Sequence, residues 1–287
     1  MTFHVCWSID CESCRKDVND LELGRRSIEG FCEILNDNGW KSTLFLMPEE
    51  IGSLADLLYK KAEEGHELGL HLHPEESGYR SDYLGVYSRN EQIEIISKSI
   101  ETFEKVLGIP PISIRSGYGS ANDFTFSVLQ ELGFKQCSMS FPGRKMSNIA
   151  SNWAGAPLFA HYANPNNRFL ENGLDLVEIP ISVDWETMIW GGIHPQDLRV
   201  EFTDAKNHGF LIRKIMKHQV INKHSFQAIL PFTHNIFDFS EEGNFRRQTM
   251  KGMIEEIHKI EREFNLKLNG STLYEAALDY RSSNPLY

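Results

Sequence analysis

The segment Gly65-His66-Glu67-Leu68-Gly69-Leu70-His71-Leu72-His73-Pro74 sets the frame for everything around it. A glycine opens it and a proline closes it. The apolar run between them is too short for a typical helix and suits a buried strand over Glu67–His73. Residues two apart on a strand point the same way, so His71 and His73 share a face at its end. A strand that finishes in paired imidazoles resembles a site more than a surface.

The same rhythm extends outward in both directions. Upstream, Ser42–Met47 reads as a strand closed by Pro48, and a helix over Glu50–Glu64 links it to the first segment. Before it come the apolar run Phe3–Asp10 and a helix over Arg25–Asn38, with Ile28, Phe31, Cys32 and Leu35 at helical spacing. Downstream, an amphipathic helix over Gln92–Leu107 leads to Ile112–Arg115, a helix over Asn122–Leu132 and a strand near Cys137. Strands over Leu176–Ile181 and Gln227–Phe232 flank a helix near Ala205–Gln219, and Phe245–Phe264 is the last long helix. Alternating strand and helix predicts a parallel sheet, and about seven strands predict a barrel or near-barrel. The stretch Phe141–Gly173, rich in Asn, Pro, Gly and Ala, breaks the rhythm as a long loop, either a surface insertion or a substrate-facing segment.

Composition narrows the function. The 287 residues are 41% hydrophobic and 24% charged, with ordinary globular balance, and we expect one catalytic domain over 1–287. A net charge of −11 disfavours nucleic acid as a partner. No apolar run approaches a membrane span, and the N-terminus reads as a strand rather than a signal peptide. Five cysteines, an odd number without framework spacing, fit a reducing cytoplasmic setting.

In a parallel barrel the carboxyl ends of the strands converge on one face. Here those ends read Asp10-Cys11-Glu12, His71-Leu72-His73, Arg115-Ser116-Gly117-Tyr118-Gly119, Asp184-Trp185-Glu186 and His234. Two imidazoles and a carboxylate make a facial metal set with open positions. A hydrolase also needs a second carboxylate, free to take a proton from water. Asp10 and Glu12 can divide those roles in either order. His234 is a candidate general acid, and Arg115 would hold an acid ionised, with Asp184 as its expected partner. Cys11-Glu12-Ser13-Cys14 has the spacing of a redox or half-zinc pair, but Arg15–Asp20 reads as a polar loop and no second pair exists. His66, at the strand's start, reads as structural, and His161, His194, His208, His218, His224 and His258 read as surface or helix residues. The sequence holds no Gly-x-Ser-x-Gly elbow and no phosphate loop.

The order of these strand ends resembles the polysaccharide deacetylases of carbohydrate esterase family 4, the chitooligosaccharide-deacetylase homology domain. The resemblance implies an α/β fold, a distorted and incomplete (β/α)7 barrel. It also implies a divalent metal, zinc first and otherwise Fe, Co, Ni or Mn, in a hydrolase of N-acylated carbohydrate. By the family's pattern Ser8-Ile9-Asp10-Cys11-Glu12 carries the base, Asp10. Cys11 stands where a ligand acid is usual, and Glu12 takes that part. The lead-in Gly65–His71 makes His71 a ligand, and the second ligand is His73, with Glu75 as the alternative. Arg115–Gly119 implies an arginine that orders the base and an oxyanion-binding backbone near Tyr118. Val183-Asp184-Trp185 implies Asp184 paired to Arg115, with Trp185 at the substrate, and Leu230–His234 implies His234 as the acid.

The expected activity is removal of an acetyl or formyl group from a nucleotide- or lipid-linked sugar during surface polysaccharide (lipopolysaccharide-type) biosynthesis in the cytoplasm. Two alternatives stand beside it. One is a metal-free hydrolase of ring amides on the same fold, and the other is a catalytically silent glycan-binding relative.

Overall fold

The computed structural model describes residues 2–286, and it is an α/β protein built on a curled parallel sheet. The chain opens with β1 (Thr2–Val5) and β2 (Trp7–Cys11), then alternates through α1 (Leu21–Asp37), β3 (Ser42–Leu46), α2 (Pro48–Glu63) and β4 (Glu67–Leu72). It continues through α3 (Arg89–Leu107), β5 (Ser113–Ser116), α4 (Thr125–Glu131) and β6 (Gln136–Cys137). The long loop holds the short pair β7 (Lys145–Met146) with β8 (Ser151–Asn152), then β9 (His161–Tyr162), which pairs with β10 (Val177–Glu178) in the strand expected over Leu176–Ile181. A hairpin of β11 (Val183–Ile189) and β12 (His194–Asp197) follows. The chain ends with α5 (Ala205–Ile221), β13 (Gln227–Ile229), β14 (Phe232–His234), α6 (Phe245–Phe264), β15 (Lys267–Asn269) and α7 (Leu273–Ser283).

The main sheet has eight strands in the order β14-β2-β3-β4-β5-β6-β10-β9, parallel throughout except for the last pair. Its interior strands are buried along their whole length, as a sheet covered on both faces requires. Register fixes the site. His234 lies beside Asp10 across β14 and β2, and His71 lies beside Arg115 across β4 and β5. The loops that leave β2, β4, β5 and β14 therefore emerge together.

Three expectations are corrected by this arrangement. The run Phe3–Asp10 is two strands, and so is the region around Gln227–Phe232. In each the chain leaves a three-stranded parallel sheet, β13-β1-β15, and enters the main one. The breaks face each other: Cys6 N donates to Ile229 O at 2.9 Å, and Ser8 N donates to Pro231 O at 3.1 Å. Pro231 has no N–H to continue a ladder, so a ladder bond is missing where it stands while the register, Val5 beside Ile229 and Ser8 beside Phe232, is kept. The Asp184-Trp185-Glu186 segment is also no strand end, because it lies inside the long, partly exposed β11 of the hairpin.

Helices α1, α2 and α3 pack in sequence, and α5 packs on α6. Ser88 and Glu91 close a capping box at the start of α3, satisfying two backbone donors at once. Gly30 shows how tight the packing is. A Cβ there would lie 2.3 Å from the Phe239 backbone, so only glycine lets α1 approach that segment. Trp7, Phe31 and Phe45 are fully buried in the core beneath the site. No helix among the described residues is long and apolar enough to cross a membrane.

Candidate active site

The site grows from an ion pair under the sheet's carboxyl edge. Asp10 lies one residue before the end of β2 and Arg115 lies on β5, both almost wholly buried. Arg115 Nη1 donates to Asp10 Oδ1 at 2.6 Å and to Ser8 Oγ at 3.0 Å. Its other nitrogens donate to the carbonyl and hydroxyl of Ser138, and its guanidinium lies 4.3 Å from the Phe45 ring centroid. Burial pulls the Arg115 pKa down, and Asp10 opposes it. Arginine does not deprotonate in proteins, so its guanidinium holds the Asp10 side chain in a fixed direction. The expected Arg115–Asp184 pair is thereby corrected.

Two residues on, Glu12 meets the histidines of β4. Its Oε1 lies 3.0 Å from His71 Nε2 and 3.1 Å from His73 Nε2. Glu12, His71 and His73 offer ligand atoms within 4.8 Å of one another. Burial would raise the Glu12 carboxyl, but the charge of His73 and hydrogen bonds from both imidazoles hold it well below the usual range. His73 is pushed the other way: burial would lower it, yet Glu12 and Asp82 raise it to about 9. Asp82 Oδ2 sits 2.8 Å from His73 Nδ1 and fixes that ring from behind. Asn235 accepts the Glu12 N–H at 2.6 Å and donates to Glu50, so the loop carrying Glu12 is tied to the start of α2. Glu75 is exposed and takes no place in the cluster.

His234 closes the other side. Asp10, Glu12 and His234 form a second group within the same 4.8 Å limit. His234 Nε2 is 3.9 Å from Glu12 Oε1, while Nδ1 is bonded to Glu201. Thr233 Oγ1 also donates to Glu201, at 3.0 Å. Burial would lower the His234 pKa, but Glu201, Glu12 and Asp10 together raise it.

The turn after β5 completes the floor. Tyr118 has φ of 60°, a left-handed backbone that a non-glycine residue adopts only under constraint. Its ring meets His73 edge-on at 5.3 Å, and its hydroxyl accepts from Arg15 Nη2 at 3.0 Å. A Cβ on Gly117 would sit 2.4 Å from the His73 ring, so this glycine is what lets the turn reach the cluster. Arg15 lies over His73, with Nη1 2.5 Å from Nδ1, and also faces Glu12 and Asp82.

Above these groups opens a cavity of about 370 Å³. Phe141, Arg144, Met146 and Ile149 line it, so the first part of the long loop does face the site. The later part does not. Phe159 packs on Trp185 at 6.4 Å beside a separate cavity of about 20 Å³. Trp185 is thus corrected as a substrate contact, since its partners are Phe159, His218 and Lys214. Asp184 pairs with Lys214 at 2.5 Å instead of Arg115. His194, expected at the surface, is fully buried on β12, and Trp190 from the same hairpin lines the cavity.

Several supporting groups escaped the sequence reading. Glu201 stands in a single 3-10 turn, Val200–Phe202, where an acid between two large apolar residues was the available signal. Asp82, Arg15, Arg144 and Arg199 lie on loops or irregular segments whose periodicity points to nothing.

The donor set suits a divalent cation. Two imidazole Nε2 atoms and one carboxylate oxygen converge, and Asp82 engages the far nitrogen of His73, leaving its Nε2 toward the cluster. Glu12, His71 and His73 would hold such an ion.

A polysaccharide deacetylase family model matches residues 18–137. No curated protein matches the chain. Among solved structures, a Mycobacterium smegmatis protein described as a polysaccharide deacetylase aligns over 100% of this chain and 92% of its own, with TM-score 0.68 and 17% identity. A Pseudomonas aeruginosa PAO1 protein, also described as a polysaccharide deacetylase, aligns over 99% and 93%, with TM-score 0.65 and 12% identity. Puue allantoinase aligns over 99% and 92%, with TM-score 0.66 and 12% identity. The resemblance drawn from the strand ends is borne out: over residues 18–137 the chain matches the polysaccharide deacetylase family of hydrolases, and along its whole length it has that family's fold.

Proposed function

We propose that the protein is a metal-dependent hydrolase that removes an N-acyl group, acetyl or formyl, from a sugar. The observation that carries this reading is the pairing of two separately oriented groups, one buried and one part-exposed, around one cluster. Asp10 is held by Arg115, His234 is held by Glu201, and Glu12, His71 and His73 lie between them.

A divalent ion, when bound, would polarise the acyl carbonyl and bring the pKa of its water toward ~7. Asp10, oriented by Arg115, takes the proton of the attacking water. The backbone N–H near Tyr118 helps hold the oxyanion. His234, kept protonated by Glu201, gives its proton to the departing amine. The cavity walls hold the sugar and exclude bulk water from these transfers. We place the substrate among nucleotide- or lipid-linked intermediates of surface polysaccharide synthesis in the cytoplasm. The free cysteines Cys6, Cys11, Cys14, Cys32 and Cys137 support a reducing compartment.

One observation favours a second reading. Arg15 already brings a cation to His73 and Glu12. A metal-free hydrolase of ring amides would use such a charge, and Puue allantoinase has a similar fold. Acid release from N-acetyl and N-formyl sugar nucleotides, followed with untagged protein after metal removal and re-addition, separates the two. The first reading expects activity that vanishes with the metal, returns with it, and is absent in His71→Ala. Activity unchanged by metal removal would contradict it.

A further inference from the structure

The cavity has a second chemical character that amide hydrolysis does not use. One wall is built by the loop around β7 and β8 and by the segment from Trp190 to Phe202, and it carries Arg144 and Arg199. Arg144 is 3% exposed, with its guanidinium 3.4 Å from the Phe141 ring centroid. It donates to Tyr118 O at 2.7 Å, to Ser151 Oγ at 3.2 Å and to His194 Nε2 at 2.8 Å. These partners are all neutral. His194 accepts at Nε2 and donates from Nδ1 to Pro195 O, and burial with the two arginines pushes its pKa down to about 3. Arg199 lies 4.1 Å from the Phe202 ring centroid and donates to Asp197 at 3.3 Å. The Nε of each arginine is buried and has no partner among the described residues.

The charges on this wall do not balance. Asp197, wholly buried, is the carboxylate facing both arginines. The neighbouring Glu201 also faces Arg199, but its hydrogen bonds go to His234 and Thr233. The charge of Arg15, by contrast, is met by Glu12, Asp17 and Asp82. Arg144, buried, and Arg199, part-exposed at the cavity, thus share Asp197 and the part of Glu201's charge that His234 leaves, and neither can shed its proton. A planar, fixed donor fork is suited to carboxylate and phosphate oxygens. Trp190, 54% exposed, places an aromatic surface beside it, 4.7 Å from His194.

We propose that the Arg144–Arg199 wall binds an anionic substituent of the substrate, a carboxylate or a phosphate ester on the N-acylated sugar, and so selects acidic sugars over neutral ones. This rests on the reading of the site as one for N-acyl sugars. It is compatible with the acidic chain, because it asks for one local anion and not a polyanion.

The test is calorimetric binding to metal-loaded protein of three probes: N-acetylglucosamine, N-acetylglucosamine 6-phosphate and N-acetylmuramic acid. At least one anionic probe is expected to bind ~10-fold or more tightly than the neutral sugar. Arg199→Gln removes that preference, while Arg199→Lys, which keeps a charge beside Asp197, retains part of it. The tighter of the two anions tells phosphate from carboxylate. Equal binding of all three, including no binding by any, overturns the proposal, as does a preference that survives Arg199→Gln. Acid release measured on the same sugars separates this from the underlying reading. Hydrolysis without an anion preference sinks the wall alone, and tight anion binding without any hydrolysis sinks the reading of the reaction.

Discussion

The carboxyl ends of β2, β4 and β5 and the segment from Val183 to Phe202 border the same cavity, yet they deliver their side chains by different means. In the first region, parallel strands in fixed register set Asp10, Glu12, His71, His73 and Arg115 close together. In the second, a twisted hairpin and a 3-10 turn supply Trp190, His194, Arg199 and Glu201. A strand's period of two makes the first set readable from spacing alone. A hairpin with a register shift between Val183 and Met188 has no such period. On the proposed reading, the first region carries the chemistry, and the second orients it and shapes what binds.

That contrast can be broken most sharply at Asp10. Asp10→Asn should lower turnover about 10²–10⁴-fold, the range for loss of a general base, while the cluster residues stay in place. Retained turnover, measured on any substrate the wild type hydrolyses, would move the base elsewhere.

Glu201→Gln tests whether the irregular region truly serves the regular one. Turnover should fall about 10–100-fold, the weaker loss expected when a group acts through another. Glu201 raises the pKa of His234, so losing its charge lowers that pKa. The acid form of His234 is then lost at lower pH, and the alkaline limb of the pH–rate profile moves down. A drop in rate with an unmoved profile would show Glu201 to be merely structural.

Acid stability compares the two regions as folded matter. Burial lowers His66 to about 4, His161 to about 4 and His194 to about 3. Unfolded, each takes a proton near 6.5. Between those values the unfolded chain binds more protons, so stability falls as pH drops from about 6.5 toward 4. Two of these groups, His161 and His194, lie in the long loop and the hairpin. The thermal midpoint should fall over that range, and His194→Gln should flatten the slope. A midpoint constant from pH 6.5 to 4 would contradict neutral burial.

The smallest effect belongs to Asp184. Its partner is the part-exposed Lys214, and such pairs contribute about 0–1 kcal/mol. Asp184→Asn should leave turnover within about twofold of the wild type. A large loss of turnover would revive its place in the site.

The sequence made the regular half of this molecule legible for a physical reason. Gly65 and Pro74 bracket β4, and its two-residue period placed both histidines correctly. The same logic failed at Asp184. An acid following an apolar strand looks like a strand end, but the sheet had already given its edge to β10 and β9, and Val183 begins a hairpin instead. The split of Phe3–Asp10 was equally hidden. Nothing local in Val5-Cys6-Trp7 marks a change of sheet, because the cause is Pro231 in a distant partner. Glu201 and the arginine wall depend on tertiary approach in the same way.

The division of labour between the two acids of β2 is the central claim, and metal stoichiometry tests it most directly. Elemental analysis of untagged wild-type protein, Asp10→Asn and Glu12→Gln should find about one divalent ion per chain in the first two, and none in the third. An ion lost from Asp10→Asn and kept in Glu12→Gln would reverse the roles. No ion in the wild type, even after re-addition, would contradict the metal mechanism itself.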